Sequence, residues 1–62
     1  MKTLVKVIVA DGRPRVTPLN GSGFVRFPKN LRVVGAVYEV ELKAGPAGSW
    51  IAVNQEDLRR VA

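Results

Sequence analysis

Residues 2–17 read KTLVKVIVADGRPRVT, and this stretch predicts the first two strands of a β-rich fold. Lys2–Val9 is dominated by β-branched residues and alternates along its length, which is typical of a strand. Its odd-numbered residues form the face that we expect to be buried. Asp11-Gly12 is a strong hairpin signal, because glycine supplies the positive φ that tight hairpin turns need. Arg13–Thr17 is therefore expected to return antiparallel to the first strand.

Three further strands are predicted along the chain, at Phe24–Phe27, Ala36–Leu42 and Ser49–Val53. Ala36–Leu42 has the clearest half-buried alternation of apolar and charged residues. Segments that contain glycine and proline separate these strands, as turns require. Residues 31–34 fit a single helical turn and a short extended segment equally well.

The C-terminal tail is predicted to form a short helical turn. Asn54 can cap its first turn, and Val53 and Leu58 can pack together across that cap as a hydrophobic staple. The acids at 56 and 57 and the arginines at 59 and 60 suit the two ends of the helix dipole. Because this role explains those charges, Arg59 and Arg60 are not counted as binding candidates.

These elements predict a mostly β fold: one domain over residues 1–62, a small five-stranded SH3-like barrel with a short C-terminal helical turn. A chain of 62 residues is too short for a second domain. Closing the sheet also removes exposed strand edges. The chain contains no Cys and no His, which excludes disulfides and makes a structural zinc site untenable, so no metal and no cofactor are expected. Such a domain folds by packing alone or gains stability as a homo-oligomer, and the sequence leaves both open.

Nothing in the sequence predicts a membrane partner or export. No apolar run approaches the roughly 18 residues that a membrane-spanning helix needs. Met1–Ala10 is apolar, but Lys6 interrupts it and no cleavage site follows. We therefore expect a cytoplasmic protein.

The charge of the chain is positive and unevenly distributed. Ten Lys and Arg face five Asp and Glu, for a net charge of +5. Residues 12–38 contain no acid and five basic residues, namely Arg13, Arg15, Arg26, Lys29 and Arg32. A surface of one sign is typical of a protein with a polyanionic partner. The alternative is that the charge serves solubility or a protein partner.

The basic residues predict a binding surface for nucleic acid, either DNA or RNA. If the second and third strands are neighbours, their arginines share one sheet surface. Arginine pairs with phosphate through two parallel hydrogen bonds. Aromatic rings beside basic residues are typical of single-strand binders, and Phe24, Tyr38 and Trp50 are the candidates, with Trp50 the first choice. The predicted nucleic-acid-binding residues are Arg13, Arg15, Arg26, Lys29, Arg32 and Trp50.

Catalysis has little support in the sequence. Without His or Cys, the common nucleophile and base pairs cannot be built. Glu39 and Glu41 are two apart on one strand and are best explained as a solvated strand face. The glycine-containing loop at 20–23 lacks the lysine and following helix of a phosphate loop. We therefore expect a binding module and not an enzyme, the alternative being a protein–protein interaction or oligomerisation adaptor.

Residues 27–32, FPKNLR, followed by Gly35 and by YEVEL at 38–42, resemble the swapped-hairpin DNA-binding domains of the AbrB and MazE kind. The resemblance covers about sixteen of the 62 residues. It implies a dimer that binds duplex DNA through basic residues such as Lys29 and Arg32. Val33-Val34-Gly35 stands where that family has a longer run ending in Gly-Asp.

Overall fold

The computed structural model describes residues 2–53 and 58–62, and these residues are mostly β. Two short 3-10 turns, Lys29–Leu31 and Pro46–Gly48, accompany the strands. No helix in the described part of the chain is long and apolar enough to cross a membrane. The strands are β1 Lys2–Ala10, β2 Arg13–Pro18, β3 Val25–Arg26, β4 Val37–Ala44, β5 Trp50–Ala52 and β6 Arg59–Arg60.

The β1–β2 hairpin forms at the predicted position. Ala10 pairs with Arg13, so the loop between the strands contains only Asp11 and Gly12. Both loop residues have positive φ, 54° and 72°. Positive φ at both central residues is the signature of the tight hairpin turns whose twist matches that of the flanking strands. The Asp-Gly prediction is confirmed.

Five of the strands close into a ring. β1 pairs antiparallel with β2 on one edge and with β4 on the other. β3 pairs antiparallel with β2 and parallel with β5, and β5 pairs antiparallel with β4. The hydrogen-bonded order around the ring is therefore β1-β2-β3-β5-β4 and back to β1. β3 and β5 are each reached from β1 through two antiparallel pairs. Both strands therefore run in the direction of β1 and meet as a parallel pair.

The prediction of a C-terminal helical turn is wrong for Arg59 and Arg60. These two residues form β6, opposite Tyr38 and Glu39 of β4. On this edge, β5 occupies only the last part of β4, so the edge before it is free to accept the tail. Pairing there satisfies backbone groups at once, whereas a single helical turn has a costly nucleus. The predicted cap Asn54 and the acids at 56 and 57 lie outside the described residues.

The core lies inside the ring and is built mainly of valine. Val5 and Val7 of β1 are fully buried, as the alternation predicts, but Val9 is 60% exposed. The pairing of β1 with β4 ends at Lys6, so the outer part of the hairpin extends beyond the ring and Val9 has no opposing layer. Leu58 packs against the core from the tail. The buried core residues are Val5, Val7, Val16, Val25, Phe27, Ala36, Tyr38, Val40 and Ala52.

Candidate functional site

A groove with a volume of about 750 Å³ runs along the outer surface of β2 and β3. The first 3-10 turn borders it on one side, and the loop between β4 and β5 borders it on another. All five basic residues singled out in the sequence line this groove, namely Arg13, Arg15, Arg26, Lys29 and Arg32. The five basic residues of the acid-free stretch 12–38 are therefore gathered around one groove.

The pairing of β2 with β3 brings the arginines of the two strands together. Val16 pairs with Val25, and both side chains point into the core. Their antiparallel neighbours Arg15 and Arg26 therefore lie side by side on the outer face. The adjacency of the second and third strands, on which the predicted shared surface depended, is confirmed.

No acidic residue among those described lines the groove. Glu41 and Glu39 lie instead on β4, where the strand register sets them opposite Lys2 of β1 and Arg59 of β6, respectively. Cross-strand pairs of opposite charge favour the sheet. These two acids therefore face cations away from the groove, and no described acid lines the groove itself.

Arg32 differs from the other basic residues because its guanidinium is already engaged. Its Nε and Nη2 donate to the carbonyl oxygen of Phe27 at 3.1 and 2.8 Å. The hydroxyl of Tyr38 donates to the carbonyl oxygen of Leu31 at 2.8 Å. Together these bonds fix the 3-10 turn that carries the exposed Lys29 at the rim of the groove. Arg32 therefore stabilises the turn and also places a positive charge beside the groove.

Phe24 is the aromatic residue that lines the groove, and it is 39% exposed. The guanidinium carbon of Arg15 lies 4.8 Å from the centre of its ring, within the range of a cation–π contact. Alternation along Phe24–Phe27 puts Phe24 on the same side as Arg26, and in the structure both are exposed while Val25 and Phe27 are buried. The groove therefore combines three kinds of surface: free cations, a stacked arginine and an exposed ring.

Trp50, the first choice for stacking from the sequence, does not line the groove. Its ring packs against the core, and its indole Nε1 donates to the carbonyl oxygen of Ser22 at 2.8 Å. It borders a second, smaller cavity of about 320 Å³, on the side of Lys2 and Leu42. Tyr38, the remaining candidate, is buried against Phe27 with ring centres 4.9 Å apart.

The residues that sequence reasoning missed are Ala47, Gly48 and Ser49, which close one side of the groove. They belong to the loop after β4, and the parallel pairing of β5 with β3 carries that loop to the groove. Local sequence holds no signal for a parallel pair between strands this far apart in the chain. In the described residues there is no group of three or more acidic side chains that could hold a metal ion.

Comparison with known proteins gives no relative: no family model, no curated protein and no solved structure matches this chain.

Proposed function

We propose that this protein is a nucleic-acid-binding module that holds phosphates in the groove along β2 and β3. The observation that supports this proposal is the convergence of five basic side chains on one groove that no described acid lines. Phosphate contacts supply most of the affinity of non-specific nucleic-acid binding. The role is binding and not catalysis, and the cytoplasmic location and the homo-oligomer remain predictions.

We also propose that the five-stranded ring is a small barrel, closer in connectivity to the OB-fold than to the SH3-like barrel. The OB-fold is a five-stranded, partly open Greek-key barrel. Its ligands bind on the face of the second and third strands, beside the loops after the first and fourth strands. The groove of this chain lies on β2 and β3 and is bordered by the β4–β5 loop. This is an analogy of fold, so the function still depends on the groove itself.

The cations of the groove are not equivalent in this mechanism. Arg13, Arg26 and Lys29 are exposed and free to meet phosphates, and Arg15 can reach one while it stacks on Phe24. Arg32 contributes charge, but its guanidinium is already hydrogen-bonded to the carbonyl oxygen of Phe27 and is less available to a phosphate. Three or four phosphate contacts give a slope of log K against log salt of about −2 to −3 for a single strand.

Fluorescence anisotropy with labelled oligonucleotides, titrated between about 50 and 200 mM salt, tests this proposal. Lys29→Gln is the informative variant, and Lys43→Gln is its matched control. Both lysines are exposed and both substitutions remove one charge, but only Lys29 lines the groove. We expect the first to lower the salt slope by about 0.7 to 0.9 and the second to leave it almost unchanged.

Two results would reject the proposal. One is the absence of binding at about 50 mM salt, where electrostatic contacts are strong. The other is an equal effect of the two lysine variants, because binding would then follow net charge and not the groove.

A second candidate function is a protein-interaction or oligomerisation adaptor, and exposed valines favour it. Val9 and Val34 are 60% and 55% exposed. Exposed apolar side chains are typical of protein interaction sites where they form one contiguous patch. Binding to a defined protein with an affinity nearly independent of salt is the result expected for this function.

The AbrB- and MazE-like dimer would instead bind duplex DNA and lose affinity when Lys29 is changed.

A further inference from the structure

The segment that carries Phe24 is held by three hydrogen bonds, two from Trp50 at the start of β5 and one from Thr17 of β2. The backbone N–H of Trp50 donates to the carbonyl oxygen of Phe24 at 2.8 Å. The indole Nε1 of the same residue donates to the carbonyl oxygen of Ser22 at 2.8 Å. From the other side, the hydroxyl of Thr17 donates to the carbonyl oxygen of Gly23 at 3.0 Å. Three successive carbonyls, at residues 22, 23 and 24, are therefore all held.

Gly23 lets the two segments approach closely. A Cβ at this position would lie 2.5 Å from the carbonyl oxygen of Gly48 and 3.5 Å from the indole ring of Trp50. Its φ of 91° is also in the region that favours glycine. Only glycine fits at this contact. We call the contact the Gly23–Trp50 clamp, and it consists of the segment Ser22–Phe24, the segment Gly48–Trp50 and the hydroxyl of Thr17.

The clamp holds the Phe24 backbone in place while the ring remains partly exposed to solvent. An exposed aromatic ring on a loose loop would be ordered only when it bound, at a cost in entropy. Here the backbone on both sides of Phe24 is fixed before any ligand arrives, and Arg15 stacks on the ring. An exposed ring held in this way is preorganised to receive a flat partner.

We propose that the Gly23–Trp50 clamp fixes Phe24 as a stacking platform for an unpaired base, and that Trp50 is the positioning residue of this platform. This inference rests on the proposed function and narrows its ligand to single-stranded nucleic acid. In a duplex the bases are stacked on each other and must be unstacked before they can reach an aromatic ring. In a single strand each base has a free face, while its phosphates can meet the neighbouring Arg15 and Arg26.

The test compares three labelled probes of about 12 nucleotides: single-stranded oligothymidine, single-stranded oligouridine and a DNA duplex. The two single-stranded probes also distinguish DNA from RNA. Phe24→Leu keeps an apolar side chain but removes the flat ring. We expect it to weaken single-strand binding by between about 5-fold and 150-fold, the range for losing one base–aromatic stack. Phe24→Tyr should retain binding, and Leu19→Ala, which changes an exposed apolar residue outside the groove, should have no effect.

Trp50→Phe tests the positioning role because it removes the indole N–H but keeps an aromatic ring against the core. We expect weaker single-strand binding, an unchanged salt slope and unchanged duplex binding. The double variant with Phe24→Leu should lose no more affinity than Phe24→Leu alone, since both changes remove the same platform. Thr17→Val removes the opposite hydrogen bond of the clamp and should behave like Trp50→Phe, which keeps the test valid if Trp50→Phe does not fold.

Failure of this inference is distinguishable from failure of the proposed function. If all probes bind with a salt slope that depends on Lys29, but Phe24→Leu has no effect, the groove binds phosphates and the stacking platform is rejected. Stronger binding of the duplex than of both single strands would also reject it. If no probe binds at about 50 mM salt, the proposed function itself fails.

Discussion

Replacing Gly23 with alanine is expected to destabilise the protein by about 2–4 kcal/mol. Positive φ costs a residue with a Cβ roughly 1–2 kcal/mol. The new Cβ would also lie 2.5 Å from the carbonyl oxygen of Gly48, so the two segments must separate. That separation weakens the bonds from Thr17 and Trp50, each worth about 0.5–1.5 kcal/mol. A domain of this size has a total stability of only about 3–9 kcal/mol, so the variant should lose a substantial fraction of it.

Urea unfolding followed by the fluorescence of Trp50, the single tryptophan, measures this effect. Gly12→Ala is the matched control, because Gly12 also has positive φ but nothing lies within 4 Å of the position its Cβ would occupy. It should lose only the roughly 1–2 kcal/mol of backbone strain. Equal losses in the two variants would refute the argument that close packing against Gly48 requires glycine at position 23.

Four further substitutions separate the contributions to stability and binding. Val7→Ala should cost about 1.5–3 kcal/mol in the same unfolding assay because Val7 is fully buried, whereas Val9→Ala should change stability by less than about 0.5 kcal/mol. Tyr38→Phe should cost roughly 0.5–1.5 kcal/mol, since the carbonyl of Leu31 loses its donor; no loss on thermal unfolding would mean that this bond is not formed in solution. Arg32→Gln removes the planar fork that holds the carbonyl of Phe27, so it should reduce stability while lowering the salt slope of oligonucleotide binding by less than Lys29→Gln does; an equal lowering would make Arg32 a phosphate contact.

The parts of the fold that depend on local sequence were predictable. Alternation placed Val5 and Val7 inside and put Phe24 and Arg26 on the same side of their strand, and Asp11-Gly12 gave the hairpin turn. These features follow from the period of a strand and from the conformational freedom of glycine. The positive region was also visible, because it depends on composition over a continuous stretch.

The parts that depend on contacts between distant segments were not predictable in the same way. The tail has the residues of a capped helical turn, yet Arg59 and Arg60 pair with β4 because a free strand edge is available there. Trp50 lies outside the groove and its indole N–H bonds to Ser22, far away in the sequence, while its role in binding stays a prediction. In both cases a tertiary partner that the local sequence does not indicate sets the position of the residue.

The groove itself arises from topology and not from a motif. Its basic residues all lie within the stretch 13–32, but the loop at 47–49 reaches it only through the parallel pairing of β5 with β3. A sequence pattern carries no information about such a pairing. For this reason the basic residues of β2 and β3 that line the groove could be named from the sequence, whereas the loop that completes the groove could not.

A titration of the 15N-labelled protein with a single-stranded oligonucleotide of about 12 nucleotides, followed by amide NMR, would locate the binding surface residue by residue. We expect the perturbed amides to cluster around the groove, at residues 13, 15, 16, 23–26, 29–32 and 47–49. The amides of β4 and β6, which do not line the groove, should change little. Perturbation centred on β6 or on the exposed Val33 and Val34, with the groove amides unchanged, would show that the groove is not the binding surface.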